Sequence, residues 1–326
     1  DIQYYIMHND ASGRYLAYAI LSAADRGVRV RILVDDINMS GRDISFKMLS
    51  QHENIEIRIF NPLSNRDWFR NLELLINLDR AGRRMHNKAF IADNASAIIG
   101  GRNIGDEYFD ARNNLNFVDL DLLAVGPIVN DVTRSFNDYW QSQWATPIED
   151  LSKTRVMKNQ LKTLRSHLTD RWHRAKNSAY FQSVKNASFT QKIINRKIDF
   201  IWAEADLFYD RPEKISNDDS KKTVHIGPQI FPYFERAQTE LLIATPYFVP
   251  GKKGTHWLSN KRDQGADISI LTNSLAATDV FAVHAGYRKY RRELLASDIS
   301  LFELKPTAQS GQSKTNKLIE LSLIHI

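Results

Sequence analysis

The sequence contains no cysteine. Disulfides and thiolate-bound metals are thereby excluded, and the redox compartment is left open. Nor does it hold an uninterrupted apolar stretch of the roughly eighteen residues that a membrane-spanning helix needs. No secretory leader pattern opens it; the chain starts at Asp1, in a strand-like run from Ile2 to Ile6. Its scattered histidines His8, His52, His225, His256 and His284 match no metal-ligand spacing. No metal and no other cofactor is expected. What is present is an ordinary globular composition, 43% apolar and 25% charged. At 326 residues there is room for two domains.

The net charge of +6 is unevenly spread. Residues 151–200 carry twelve Lys or Arg against Asp170 and Asp199, a net of +10, so the remainder is net −4. A basic segment in a mildly acidic chain suits an anionic surface, either phospholipid headgroups or nucleic acid. A solvated helical linker accounts for it equally well.

Hydrophobic periodicity describes an α/β chain. A helix over Tyr15–Ala24 puts Leu16, Ala19, Ile20 and Ala23 on one face and stops at Asp25-Arg26-Gly27. Val28–Val34 then alternates as a strand, completing a β-α-β unit. The outline recurs later. A strand at Leu241–Ala244 leads through a helix ending at Asp263-Gln264-Gly265 to a strand at Ile268–Leu271. Ile57–Pro62 in the first half matches Leu301–Pro306 in the second. The shared order points to an internal duplication. Three segments result: a first domain at 1–150, a basic, largely helical linker at 151–220, and a second domain at 221–326. The first closes with a helix, Asp131–Trp144, whose Phe136, Tyr139, Trp140 and Trp144 read as core packing. Ser216–Ser220 reads as a surface loop, and Tyr287–Arg292 as a basic helix.

One run is chemically specific. His86-Asn87-Lys88-Ala89-Phe90-Ile91-Ala92-Asp93, followed by Gly100-Gly101-Arg102-Asn103, spells H-x-K-x4-D-x6-G-G-x-N. Histidine can attack phosphorus, and its ordinary pKa of about 6.5 leaves it neutral near pH 7. A lysine two residues along a strand shares its face and can hold a phosphate oxygen. Asn103 adds donors, and Gly100 and Gly101 let backbone approach a phosphate without a Cβ in the way. The attacking ring needs its other nitrogen held, and a carboxylate suits. Asp119 and Asp121 share a face of the apolar run Phe117–Val125, and Asp119 is favoured. Asp93, seven residues beyond His86 along a strand, reads as fixing the turn. Arg102 reads as an ion-pair residue, and Asp35-Asp36 ends a parallel strand, where α/β sites gather, though it serves equally well as the cap of the turn there. The bland alternative is a buried strand, Ala89–Ala92, carrying an incidental histidine; six fixed positions weigh against it.

This run resembles the HKD signature of the phospholipase D superfamily. Beyond it, Asp1–Ile6, Ala24–Val28, Val34–Asp36, Arg83–Lys88, Gly100–Phe109, Asp119–Asp121 and Thr245–Gly251 look like bacterial cardiolipin synthases, especially the C-type enzymes. The resemblance runs from Asp1 to about Pro306. It implies a phospholipase D-like α/β/α sandwich of two tandem halves related by a pseudo-twofold axis. It also implies a phosphatidyl group moved through a phosphohistidine from one phospholipid to the hydroxyl of another. The acceptor is commonly phosphatidylglycerol, with phosphatidylethanolamine as a donor in the C-type branch. His86, Lys88, Asp93, Asn103 and Asp119 form the implied catalytic set, and Lys88, Gly100, Gly101 and Asn103 the implied phosphate cradle. The expected partners are phospholipids and an anionic membrane surface, not nucleic acid. The expected location is the bacterial inner membrane, peripherally.

In that superfamily a second H-x-K supplies the histidine that moves protons. Pro62 precedes His86 by 24 residues, and the same interval from Pro306 ends at position 330, beyond the last residue. The second half therefore reads as incomplete, and the fragment alone as inactive. Leu321–Ile326 resembles a translated sequencing adapter, so His325 is given no role. A phosphodiesterase using water, whether lipase or nuclease, and a non-catalytic phosphate- or membrane-binding module are the competing readings. The oligomeric state is not legible.

Overall fold

Near-continuous burial along Ile2–Tyr4 (β1) and Val30–Asp35 (β2), and alternation along Ile55–Phe60 (β3), start the sheet of the computed structural model. The structure describes residues 1–39, 41–63, 83–112, 115–151, 156–157, 159–216, 224–278, 280–305 and 318–321. These three strands are parallel, with Ile2 opposite Ile32 and Val30 opposite Ile55. They are joined by helices α1 (Ala11–Asp25) and α2 (Asp43–Leu49). Ile20 and Leu21 of α1 pack on Ile2, Ile32, Val34 and Ile57. The helix begins at Ala11 rather than Tyr15 because Asp10 Oδ1 accepts the Gly13 N–H at 3.0 Å. A Cβ on Gly13 would lie 1.7 Å from the His8 carbonyl oxygen, so only glycine fits that turn. At the other end Gly27, with φ of 90°, gives the left-handed stop that the sequence predicts.

Strand β4 (Ala89–Ala92) pairs antiparallel with β1, and β5 (Ser96–Gly100) follows a turn in which Asp93 and Asn94 are both left-handed. The run expected as one strand, Phe117–Val125, is two: β6 (Leu115–Val118) and β7 (Asp121–Val125), in different sheets. Asp119 and Leu120 are the crossover between them. Helix α3 (Ile128–Trp140) and strand β8 (Ala145–Pro147) follow, so Trp144 lies outside the helix predicted to hold it. Phe136 and Tyr139 are fully buried, and the Arg31 guanidinium stands 4.8 Å from the Phe136 ring. The aromatics of α3 are core, as expected. Seven strands form one sheet in the order β7-β5-β4-β1-β2-β3-β8.

After the short α4 (Ile148–Leu151), the basic segment is helical as α5 (Gln160–Ala175), α6 (Ala179–Asn186) and α7 (Ser188–Ile194). Helix α5 is packed: Leu168 is buried in the α1 core, and Trp172 stacks on Tyr18 at 5.3 Å.

Further on, α8 (Ile226–Glu235) precedes β9 (Glu240–Ala244), α9 (Gly251–Asp263), β10 (Asp267–Asn273), α10 (Phe281–Arg288), α11 (Arg291–Ala296) and β11 (Ser300–Leu304). β9, β10 and β11 are parallel and repeat the strand–helix order of β1, β2 and β3. Their core is Leu241, Leu258, Ile268, Ile270, Tyr287 and Leu294. The basic helix expected at Tyr287–Arg292 is divided between two helices by a turn at Lys289 and Tyr290, and Tyr287 is buried in that core. Strand β12 (Leu318–Leu321) pairs parallel with β6. The rest of the predicted 216–220 loop after Ser216, together with Pro306 and residues 322–326, lies outside the described residues.

Two compact units result. One comprises Asp1–Ala97, Asn103–Gly105 and Ala124–Asn217; the other comprises Ile98–Arg102, Asp106–Leu123 and Asp218–Ile326.

Candidate active site

Arg83–Lys88 is a non-repetitive segment that enters β4, so His86 and Lys88 precede the strand rather than lying within it. They nevertheless meet. Lys88 Nζ stands 2.8 Å from His86 Nδ1 and donates to the His86 carbonyl oxygen at 2.7 Å. Lys88 is buried and His86 half-buried. The Tyr5 ring packs on the imidazole with centroids 4.5 Å apart, and the Lys88 ammonium lies 5.7 Å from the centre of the same ring. Tyr5 follows β1 directly, at the carboxyl end of a strand in the parallel group. Sequence reasoning passed over it, although that position is where α/β folds gather functional side chains.

Behind these residues is a buried polar support. Asp35 ends β2 and is fully buried. Its Oδ1 accepts the Ile37 N–H, and its Oδ2 accepts the Met85 N–H, each at 2.9 Å. The acid predicted either to cap a turn or to serve a site thus caps the turn and tethers the residue before His86. Arg84 Nη1 lies 3.5 Å from Asp35 Oδ1 and donates to the Asn61 carbonyl at 2.8 Å. Asp36 Oδ2 accepts the Leu63 N–H at 2.9 Å. Burial raises the Asp35 carboxyl to about 6, against the opposing pull of Arg84 and the two backbone donors. Burial, and then the charge of Asp35, push the Tyr5 phenol up to about 12.

Asn103 is buried, and its Oδ1 accepts the N–H of Ile6, the residue after Tyr5, at 3.0 Å. The amide's other polar atom, Nδ2, is a donor. Asn103 is held there because Ile104 N–H donates to Ile6 O and His8 N–H donates to Ile104 O. Asp93 is exposed in its left-handed turn at the far end of β4, with φ of 53°.

The remaining residues of the predicted set fall in the second unit. Asp121 Oδ2 accepts from Arg102 Nη1 at 2.9 Å, so Arg102 forms the ion pair expected of it, with Asp121 as partner. A Cβ on Gly100 would lie 2.0 Å from Asp121 Oδ1 and 2.5 Å from the Leu120 carbonyl oxygen. That glycine is demanded by its own neighbours. Gly101 N–H donates to the same carbonyl at 3.1 Å. Asp119 is buried between β6 and β7. Among the described residues no His, Asp and Glu side chains gather as metal ligands do.

Residues 1–140 match the family described as cardiolipin synthase, PLD-like domain. Over 314 residues the chain is 39% identical to cardiolipin synthase C of Escherichia coli strain K12, covering 96% of this chain and 65% of that protein. Over 306 residues it is 35% identical to an uncharacterized protein of Helicobacter pylori strain J99, covering 94% of this chain and 60% of that one. The chain therefore spans less than two thirds of the length of these curated relatives. Among solved structures, the phosphatidylserine synthase of Haemophilus influenzae Rd KW20 is similar with a TM-score of 0.55 at 12% identity, covering 98% of this chain and 69% of that chain. That likeness shows a shared fold.

Proposed function

We propose, from the match of residues 1–140 to the family described as cardiolipin synthase, PLD-like domain, that the protein transfers phosphatidyl groups between phospholipids. The contact that carries the proposal is the 2.8 Å approach of Lys88 Nζ to His86 Nδ1 beneath the Tyr5 ring. It puts a nucleophile and a cation on one phosphate-sized spot.

In the proposed reaction a bare ring nitrogen of His86 attacks the phosphorus of a phospholipid. The P–N bond forms, and the bond from phosphorus to the headgroup oxygen breaks. The leaving headgroup alcohol takes up a proton. A hydroxyl of phosphatidylglycerol then gives up a proton and attacks phosphorus, and the P–N bond breaks to free the histidine. With phosphatidylglycerol as donor the products are cardiolipin and glycerol; with phosphatidylethanolamine, ethanolamine leaves instead. A second histidine, from a second H-x-K, carries the proton in both steps. Lys88 and the Nδ2 of Asn103 hold the non-bridging oxygens, where charge grows in the transition state. Asp119 is proposed as the acceptor that orients the ring, and Gly100 and Gly101 as part of the phosphate cradle. Asp93 serves the turn. The work is done at the bacterial inner membrane by a peripheral protein; among the described residues no helix is long and apolar enough to cross a membrane.

The test is a lipid assay on this chain, alone and in a form lengthened to the span of its relatives. Cardiolipin should appear with the lengthened form and fall by about 10³-fold or more in H86A. Mass spectrometry of the quenched enzyme should find an acid-labile phosphatidyl adduct on His86. Formation of phosphatidic acid without cardiolipin would move the reading to hydrolysis. Lipid binding without turnover would reduce it to a binding module.

A further inference from the structure

Helices α6 and α7, with the chain after them, present apolar side chains to solvent. Phe189 is 56% exposed, Ile193 47%, Ile194 57%, Ile201 95% and Trp202 75%. Phe189 and Ile193 are four residues apart on α7 and share a face, with Lys192 beside them. Cations surround the patch: Lys185 at the end of α6, and Arg196 and Lys197 just past α7, all exposed. Asp199 is the only acid from 176 to 202, against five Lys or Arg. A groove of about 520 Å³ opens beside it, with Trp172, Phe181, Val184 and Ile194 in its lining and Lys176 and Lys185 along it. The first unit places none of this in its core, whereas α5, next in line, is packed against α1.

We propose that α6, α7 and residues 195–202 dock the protein on an anionic phospholipid bilayer, with α7 lying in the headgroup region. Charge and apolar character occur together here, and only one class of partner uses both. Nucleic acid would take the lysines, but it gains nothing from Ile193, Ile194 or Ile201. A protein interface would cover the isoleucines, but the cores of such interfaces are poor in lysine. A bilayer takes the apolar groups into its acyl boundary while lysine and arginine heads stay with the phosphates. Trp202 has the amphipathic ring that settles at that boundary. The proposal rests on the phospholipid-transfer reading only for its choice of lipid.

The test is flotation of the chain with phosphatidylcholine vesicles, with and without phosphatidylglycerol, at low and high salt. Binding should require phosphatidylglycerol and weaken with salt. It should fall by about tenfold or more in F189S/I193S and again in K185E/K192E/K197E. These side chains are exposed, so both variants should keep the circular dichroism and melting of the parent. The Trp202 emission, taken as the difference from W202F, should shift to the blue when vesicles are added. Absence of vesicle binding, or binding unchanged in both variants, overturns the proposal. So does a self-association that F189S/I193S abolishes, which would make the occupant a second copy. In the form lengthened to the span of its relatives, H86A should float like the parent while losing transfer, and the docking variants should keep transfer on detergent-dispersed lipid. Failure of docking is thereby separated from failure of the catalytic reading.

Discussion

The ammonium of Lys88 stands 2.8 Å from Nδ1 of His86 and 2.7 Å from the carbonyl oxygen of the same residue. An ammonium only donates, so this contact requires a bare Nδ1 and leaves the proton of a neutral ring on Nε2. Histidine and phosphate must then compete for one cation. Under the proposed function a bound phosphate would draw Lys88 away and release the ring, coupling substrate arrival to activation of the nucleophile. In K88M, transfer should fall by about 10²–10³-fold, the scale of losing one preorganised oxyanion partner. Nitrogen NMR of labelled histidine should show a bare Nδ1 in the resting parent and a changed ring signal on adding inorganic phosphate. The resting signal should already be altered in K88M. An Nδ1-protonated resting ring would contradict this arrangement.

The Tyr5 ring touches both members of that pair, whereas its hydroxyl, held at a pKa of about 12, stays protonated throughout the working range. Ring and hydroxyl can therefore be separated. Y5F should keep kcat within about threefold, and Y5A should lose about tenfold, on the scale of one aromatic packing interaction. The pH profile of kcat should be the same in the parent and in Y5F. A large loss in Y5F would mean that the hydroxyl takes part.

Asp35 predicts a pH dependence of stability. Its folded pKa, about 6, lies above the ordinary 3.8 because burial disfavours the charge. Between those values the folded chain holds a proton that the unfolded chain has released. Stability from this group is therefore full below the lower value and is lost as pH rises through the upper one. The size is about 3 kcal/mol. D35N removes the titration but leaves Arg84 buried without its carboxylate, so it should be less stable at every pH. In urea titrations the gap between parent and D35N should narrow as pH rises from about 4 to about 6. A gap that widens over that window would reverse the sign assigned to this carboxyl.

Gly100 has no room for a methyl group, since Asp121 and the Leu120 carbonyl occupy the space. G100A should cost about 1–3 kcal/mol in urea denaturation, the ordinary penalty of forcing extra atoms into packed structure. Removing the offending carboxylate in G100A/D121A should recover only part of that loss, because the backbone oxygen at 2.5 Å remains. A neutral G100A would show that the two segments separate easily and that the glycine serves another purpose.

By itself the sequence determined much of the strand and helix succession and the residues from which the proposed site is built. Period-2 and period-3.6 patterns reflect which face of an element is buried, so they survive without knowledge of neighbours. That is why β2, β3, β4, β9, β10 and β11 were legible, and why Asp93-Asn94 was legible as a turn. The H-x-K spacing likewise leaves His86 and Lys88 near enough in the chain for their side chains to meet. Only the tertiary structure decided what those side chains rest against. Tyr5 reaches His86 across 81 positions, and Asp35 holds the Met85 N–H across 50. It also decided that Phe117–Val125 divides at Asp119 and Leu120, because each part pairs in a different sheet. Such contacts are set by strand order and register, which depend on the whole sheet at once and not on any stretch of the chain read alone.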